Sequence, residues 1–137
     1  FAWDKAGDVF ASLSHVFLDI KCIDNDLYKQ LTGIDNRLIL ENAKKIHDQG
    51  VPVTVRIPCI KGANFTNANL EQTAAFMLEN MPHADIELLP YHNLGKEKYL
   101  ALKMHDHLHE YETPDKEELA EALSLFNGYG LKTVSYK

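Results

Sequence analysis

Cysteine is scarce in this chain of 137 residues: Cys22 and Cys59 stand alone and far apart. Two such residues make no disulfide framework and suit a reducing compartment, so the expected location is cytoplasmic. Long apolar runs are missing too. Nothing nears the roughly 20 residues of a membrane span, and no signal peptide opens the chain. Basic runs are absent, and the net charge of -6 argues against nucleic acid or an anionic membrane as partner. There is no linker, low-complexity tract or repeat beyond the βα unit, and the length suits one domain with one core over residues 1–137. The first residue is Phe1 rather than Met, so the expectation is a piece of a longer protein.

What is present is an alternation of strand and helix patterns, which predicts an α/β fold with parallel strands. A helix from Asp4 to about Ser14 leads into a strand, Val16 to Lys21. A short helix, Asp24 to Thr32, is stopped by Gly33. Asp35 is the expected N-cap of a helix through Gln49, with Leu38, Ile39, Leu40, Ala43 and Ile46 as its apolar face. Val51 to Ile57 reads as a strand ended by Pro58, and a Gly/Asn-rich loop runs to Ala68. Asn69 to Asn80 reads as a helix and Asp85 to Pro90 as a third strand. A short helix starts near Lys96. Pro114, capped by Thr113, opens a last helix to Phe126, and Leu131 to Ser135 reads as a final short strand. Three parallel strands cannot close a barrel of eight, so a partial (β/α) barrel with an exposed sheet edge is expected.

Polar residues gather where these strands end. Alternation puts Asp19 and Lys21 on one strand face, opposite Leu18 and Ile20. Arg56 lies opposite Val53, Val55 and Ile57. His92 follows Pro90 by two residues. In parallel neighbours the four side chains would meet at the carboxyl edge of the sheet, where α/β folds bind ligands. Two cations, a carboxylate and an imidazole suit a zwitterion that carries a ring. Lys21 and Arg56 could take its carboxylate, Asp19 its ammonium, and His92 its ring. The plain alternative is a strand-end ion pair Asp19–Lys21, a surface Arg56 and a structural His92.

Several strings in order and spacing resemble one family. These are Asp19-Ile-Lys21 with Asp24, then Thr32-Gly33 with Asn36, then Ile39-Leu40-Glu41-Asn42. Val55-Arg-Ile-Pro58 with Gly62 and Asn64 follows, and then Leu88-Leu-Pro-Tyr-His-Asn-Leu-Gly95 with Lys98-Tyr99. Together they resemble the C-terminal part of the radical S-adenosylmethionine activating enzymes of glycyl radical enzymes, such as pyruvate formate-lyase activating enzyme. The resemblance implies a partial (β/α) barrel whose rim holds a 4Fe–4S cluster and S-adenosylmethionine. In such enzymes the reduced cluster splits the sulfonium, and the resulting radical takes a hydrogen from a glycine Cα of the partner. It places Asp19 and Lys21 by the methionine moiety, Arg56 near the cofactor and the incoming glycine loop, and His92 beside the adenosine. It also implies a glycyl radical enzyme as partner and flavodoxin or ferredoxin as electron donor.

The departures from the family are specific. A Cys-x-x-x-Cys-x-x-Cys motif is absent, and Cys22 and Cys59 cannot supply the three thiolates of such a cluster. The Gly-Gly-Glu stretch for the cofactor's amino group is missing, and Tyr28 stands where the family usually has His. The expectation is therefore the second half of an activating enzyme, inactive alone, with no catalytic or metal-ligating residue of its own. Two other readings stay open. One is a non-enzymatic α/β binding module that has lost the redox chemistry; the other is a lyase with Lys21 as Schiff-base amine. A rival metal site, His105, His107 and His109, has the i, i+4 spacing of a helical pair but is read as a polar loop. The acidic segment Glu110 to Glu121 is read as a solvated helix face, and the loop Lys61 to Asn67 as a cover for the rim.

Overall fold

The computed structural model describes residues 2–92 and 111–136. The predicted calls on Lys96, Lys98, Tyr99, His105, His107 and His109 lie outside the described residues. Among the described residues the elements run in the order α1 (Trp3–Phe10), β1 (Val16–Asp19), α2 (Asn25–Thr32), α3 (Arg37–Asp48), β2 (Val53–Cys59), α4 (Asn67–Asn80), β3 (Asp85–Pro90) and α5 (Lys116–Gly128). The three strands form one parallel sheet in the order β1-β2-β3. The predicted final strand is reduced to one parallel bridge, Ile86 to Thr133, held by two backbone bonds between Ile86 and its neighbours Lys132 and Val134.

One face of the sheet carries the core. Val16, Val53, Val55, Ile57, Cys59 and Ile86 are buried there with Ala43 and Ile46 of α3, Leu70, Ala74 and Met77 of α4, and Phe126 of α5. Burying each large aliphatic side chain contributes about 1.5–3 kcal/mol, so this face sets strand register. The other face alternates with it: Phe17 and Asp19, Thr54 and Arg56, Asp85 and Glu87.

Local chemistry explains the element ends. Asp24 caps α2 by accepting from the Leu27 N–H at 2.7 Å, and Gly33 closes it with φ 79°, an angle glycine adopts without penalty. Thr66 caps α4, which starts at Asn67, two residues ahead of the predicted Asn69. Asp115, not Thr113, caps α5 in a reciprocal pair with Glu118, while the Thr113 hydroxyl donates to the Tyr91 carbonyl. Asn36 stands directly before α3 with no side-chain cap bond, while Asp35 Oδ1 accepts from the Arg37 N–H at 3.2 Å in the capping role expected of it; Leu38 stands 48% exposed, outside its apolar face.

Pro58 does not end β2, which runs on to Cys59. The Arg56 carbonyl accepts from Ile20 of the β1 side, so Pro58, two residues on, also faces that side. There β1 has already ended at Asp19, and no ladder bond is lost to the missing N–H.

Candidate functional site

The carboxyl edge of the sheet is built by register. Asp19 of β1 is level with Arg56 of β2, and Arg56 is level with Glu87 of β3. The Arg56 Nε–H donates to Asp19 Oδ1 at 3.0 Å, so Asp19 pairs across strands with Arg56, not within β1 as the plain alternative of an Asp19–Lys21 ion pair had it. Both side chains are more than a third exposed (35% and 41%), and a pair so solvated contributes only about 0.2–1 kcal/mol. Stability therefore does not account for the two residues. The guanidinium also lies over the Phe17 ring, 5.3 Å from its centre.

Lys21 and His92 sit further along. The strand ends before Lys21, and the backbone there is clamped by buried asparagines. Asn64 Nδ2 donates to the carbonyls of Lys21 (2.7 Å) and Pro58 (2.6 Å), and its Oδ1 accepts from the Ile60 N–H. Asn69 Nδ2 donates to Lys21 O and Asn64 O, and its Oδ1 accepts from the Ile23 N–H. Asn36 Nδ2 donates to Cys22 O and Ile23 O. Asn36 and Asn64 belong to the family-like strings, but their clamping role is visible only in the fold, and Asn69 had no signal in the sequence.

His92 is exposed beyond the end of β3. It has the parity of Ile86, Leu88 and Pro90, which is the core face, and not that of Arg56. Among the described residues no hydrogen bond or ion pair joins it, or the Lys21 ammonium, to Asp19 and Arg56. The structure thus joins one pair directly and puts Lys21 and His92 at the same carboxyl edge. The polar-face partners Glu87 and Phe17 were missed, although the alternation in Asp85-Ile86-Glu87 and Phe17-Leu18-Asp19 could have found them.

The loop after β2 turns at Gly62 (φ 83°) and is stapled to the acidic segment. Lys61 forms an ion pair with Glu118 at 2.6 Å and an antiparallel bridge with Glu112. That bond holds the Glu118 carboxyl below its usual value and the Lys61 ammonium above its own. The segment's described part is thus partly committed to contacts rather than wholly solvated. Tyr28 is buried at 5%, a packing position.

The cysteines do not suit a cluster. Both are buried. Burial, and then the Asp24 charge, pushes the Cys22 thiol up to about 11; burial pushes Cys59 up to about 12. A cluster ligand must be a thiolate. Among the described residues no group of three or more His, Cys, Asp or Glu stands ready for a metal ion, and no helix is long and apolar enough to cross a membrane.

No protein-family model matches the chain. Individual relatives do. Over 127 residues, 90% of this chain, it is 38% identical to the trans-4-hydroxy-L-proline dehydratase activating enzyme of Clostridioides difficile, covering 41% of that protein. Over 117 residues, 84% of this chain, it is 37% identical to the pyruvate formate-lyase-activating enzyme of Staphylococcus epidermidis, covering 46% of it. The chain thus spans less than half the length of these curated relatives. In fold it is similar to a domain of a pyruvate-formate lyase-activating enzyme from Bacteroides vulgatus, with TM-score 0.80 and 24% identity over 99% of this chain and 75% of that one. It is also similar to a radical SAM methyltransferase from Sphaerobacter thermophilus, with TM-score 0.69 and 15% identity over 93% of this chain and 36% of that one. The parallel α/β sheet is therefore one shared with a radical SAM protein, and the chain is a homologue of the activating enzymes of glycyl radical enzymes.

Proposed function

We propose that this chain is one domain, residues 1–137, forming the C-terminal half of a radical S-adenosylmethionine partial barrel in an enzyme that installs a glycyl radical on a partner. The observation that carries this reading is the Asp19–Arg56 pair at the carboxyl edge of a parallel sheet, in a chain 38% identical to such an activating enzyme. The pair is solvated in this chain, and its charges suit the amino acid end of a sulfonium nucleoside. Arg56 and Lys21 would take the carboxylate, Asp19 the ammonium, and His92 the ring. When bound with a reduced cluster, S-adenosylmethionine supplies a carbon radical that can abstract hydrogen.

This chain's own residues bind and orient. Asp19 fixes the Arg56 side chain at Nε, which leaves its terminal nitrogens for a ligand carboxylate. The asparagine clamp holds the Lys21 backbone at the rim. The cluster thiolates do not come from Cys22 or Cys59, and the reading places them elsewhere in the parent enzyme. The partner would be a glycyl radical enzyme, pyruvate formate-lyase or a relative, and the reductant a flavodoxin or ferredoxin. Two free buried thiols suit a cytoplasmic setting, and the net charge of -6 suits neither nucleic acid nor an anionic membrane.

The coding sequence upstream of Phe1 is the first test, with a Cys-x-x-x-Cys-x-x-Cys motif expected. The whole protein, reconstituted without oxygen and given S-adenosylmethionine and a reductant, should then raise a glycyl radical signal on the glycyl radical enzymes of its source. Arg56→Ala should abolish that signal. A parent without the cysteine motif, or one that yields no radical on any of them, overturns the reading.

A further inference from the structure

The polar sheet face carries an aromatic cluster that the core does not need. His15 and Phe17 are tilted together with ring centres 4.7 Å apart. The Tyr136 ring meets Phe17 edge-on at 5.1 Å and His15 at 6.2 Å. Phe17 and Tyr136 are 47% and 52% exposed, so burial does not explain their meeting. Tyr136 is brought there by its backbone. Its N–H donates to Glu87 Oε1 at 2.8 Å, just after the bridge that ties Thr133 to Ile86. Glu87 is itself 5% exposed and level with Arg56. The Tyr136 hydroxyl stands 3.4 Å from the Thr54 hydroxyl, which is hydrogen-bonded to His15 Nε2 at 2.9 Å.

These contacts end at Arg56. One bond, Nε–H to Asp19, fixes a point on the guanidinium, and its central carbon lies over the Phe17 ring at 5.3 Å. Phe17 lies on an open face, between the tilted His15 ring and the near-perpendicular Tyr136 ring. We propose that Tyr136 is a positioning residue for Arg56, holding through Phe17 the guanidinium plane that meets an anionic ligand group. Under the proposed function, on which this rests, that group is the carboxylate of S-adenosylmethionine. A long cation held at one atom keeps rotational freedom; held at an atom and a face, it presents both terminal nitrogens in one direction.

The test uses the 137-residue chain labelled with nitrogen-15 and the Arg56 Nε–H signal. Tyr136→Leu should move that signal toward the position of a free arginine and speed its exchange with water by about threefold or more, with the melting temperature nearly unchanged. Tyr136→Phe, which keeps the ring, should leave it in place, and Phe17→Leu should reproduce the Tyr136→Leu change. An unaltered Arg56 signal in Tyr136→Leu or Phe17→Leu overturns the proposal, as does Tyr136→Phe behaving like Tyr136→Leu. S-adenosylmethionine is then titrated into the whole parent enzyme carrying the same substitutions. Binding weakened about threefold to tenfold in Tyr136→Leu, the size of one released side chain, supports the proposal, and equal binding overturns it. If S-adenosylmethionine binds the unaltered parent enzyme with no response of Arg56, the Arg56 assignment of the proposed function fails. The Nε–H signals of the variants still decide what Tyr136 does.

Discussion

Asn64, in the loop after β2, donates its side-chain amide to the carbonyl of Lys21, in the loop after β1, at 2.7 Å. That bond crosses between two loops which the sheet itself no longer joins. Asn64 is 1% exposed and uses the same amide for Pro58 O and its Oδ1 for the Ile60 N–H. Asn64→Ala therefore removes the side-chain partner of the Pro58 carbonyl and the Ile60 N–H and leaves the Lys21 carbonyl with Asn69 alone, at a cost of about 2–4 kcal/mol. Urea unfolding should show that loss as a lower midpoint with the slope kept. A midpoint within experimental scatter of the parent's would mean that water replaces the amide.

Asp19→Asn and Arg56→Lys should behave in the opposite way. The pair is exposed enough that either change should cost less than about 1 kcal/mol in the same unfolding experiment. Under the proposed function, Arg56→Lys in the whole protein should still reduce radical yield by about tenfold or more, because an ammonium cannot reproduce the two-pronged grip of a guanidinium. A large stability loss with unchanged radical yield would make the pair structural.

Cys22 and Cys59 should resist thiol reagents. Their thiols titrate near 11 and near 12, and both are buried. Near pH 8 the native chain should react with a disulfide reagent far more slowly than the same chain in urea. Equal rates would show that the β1–α2 loop or the end of β2 opens readily.

His47 should give stability a pH dependence. Burial, reinforced by His83 at 6.0 Å between ring centres, lowers its affinity for a proton below the ordinary value of 6.5, with Asp48 opposing. The unfolded chain then binds the proton more readily than the native one, so stability rises as pH climbs through the region just below 6.5. Melting temperatures from pH 5 to 8 (about the range in which histidine titrates) should show that rise, and His47→Gln should flatten it. An identical slope in the variant would assign it to another group.

Much of this architecture was readable because hydrophobic period and end signals agree. Asp24 and Gly33 bracket α2 as predicted, and β3 has its predicted bounds. Alternation placed Arg56 opposite Val53, Val55 and Ile57. The failures share a cause: a local rule overridden by a distant partner. Pro58 continues β2 because a neighbouring strand has stopped. Asn36 precedes α3 without capping it, since its backbone is already helical (φ -94°, ψ -4°), and its amide N–H groups donate to the Cys22 and Ile23 carbonyls instead. Asp19 pairs with Arg56 rather than Lys21 because cross-strand register, which a single strand does not reveal, sets them level. Tyr136 and Asn69 needed the folded chain to bring them near residues 119 and 48 positions away, Phe17 and Lys21.

The level pairing of Asp19 with Arg56 also means that the greasy side of the sheet governs the wet side. Were β1 to slide by a single residue against β2, Val16 and Leu18 would point outward and Asp19 would turn into the hydrocarbon interior. Trimming the apolar contacts of Val16, Leu18 or Ile20 should therefore blur the aim of the ion pair before it unfolds the protein, so evolution can retune the rim from residues that never touch it.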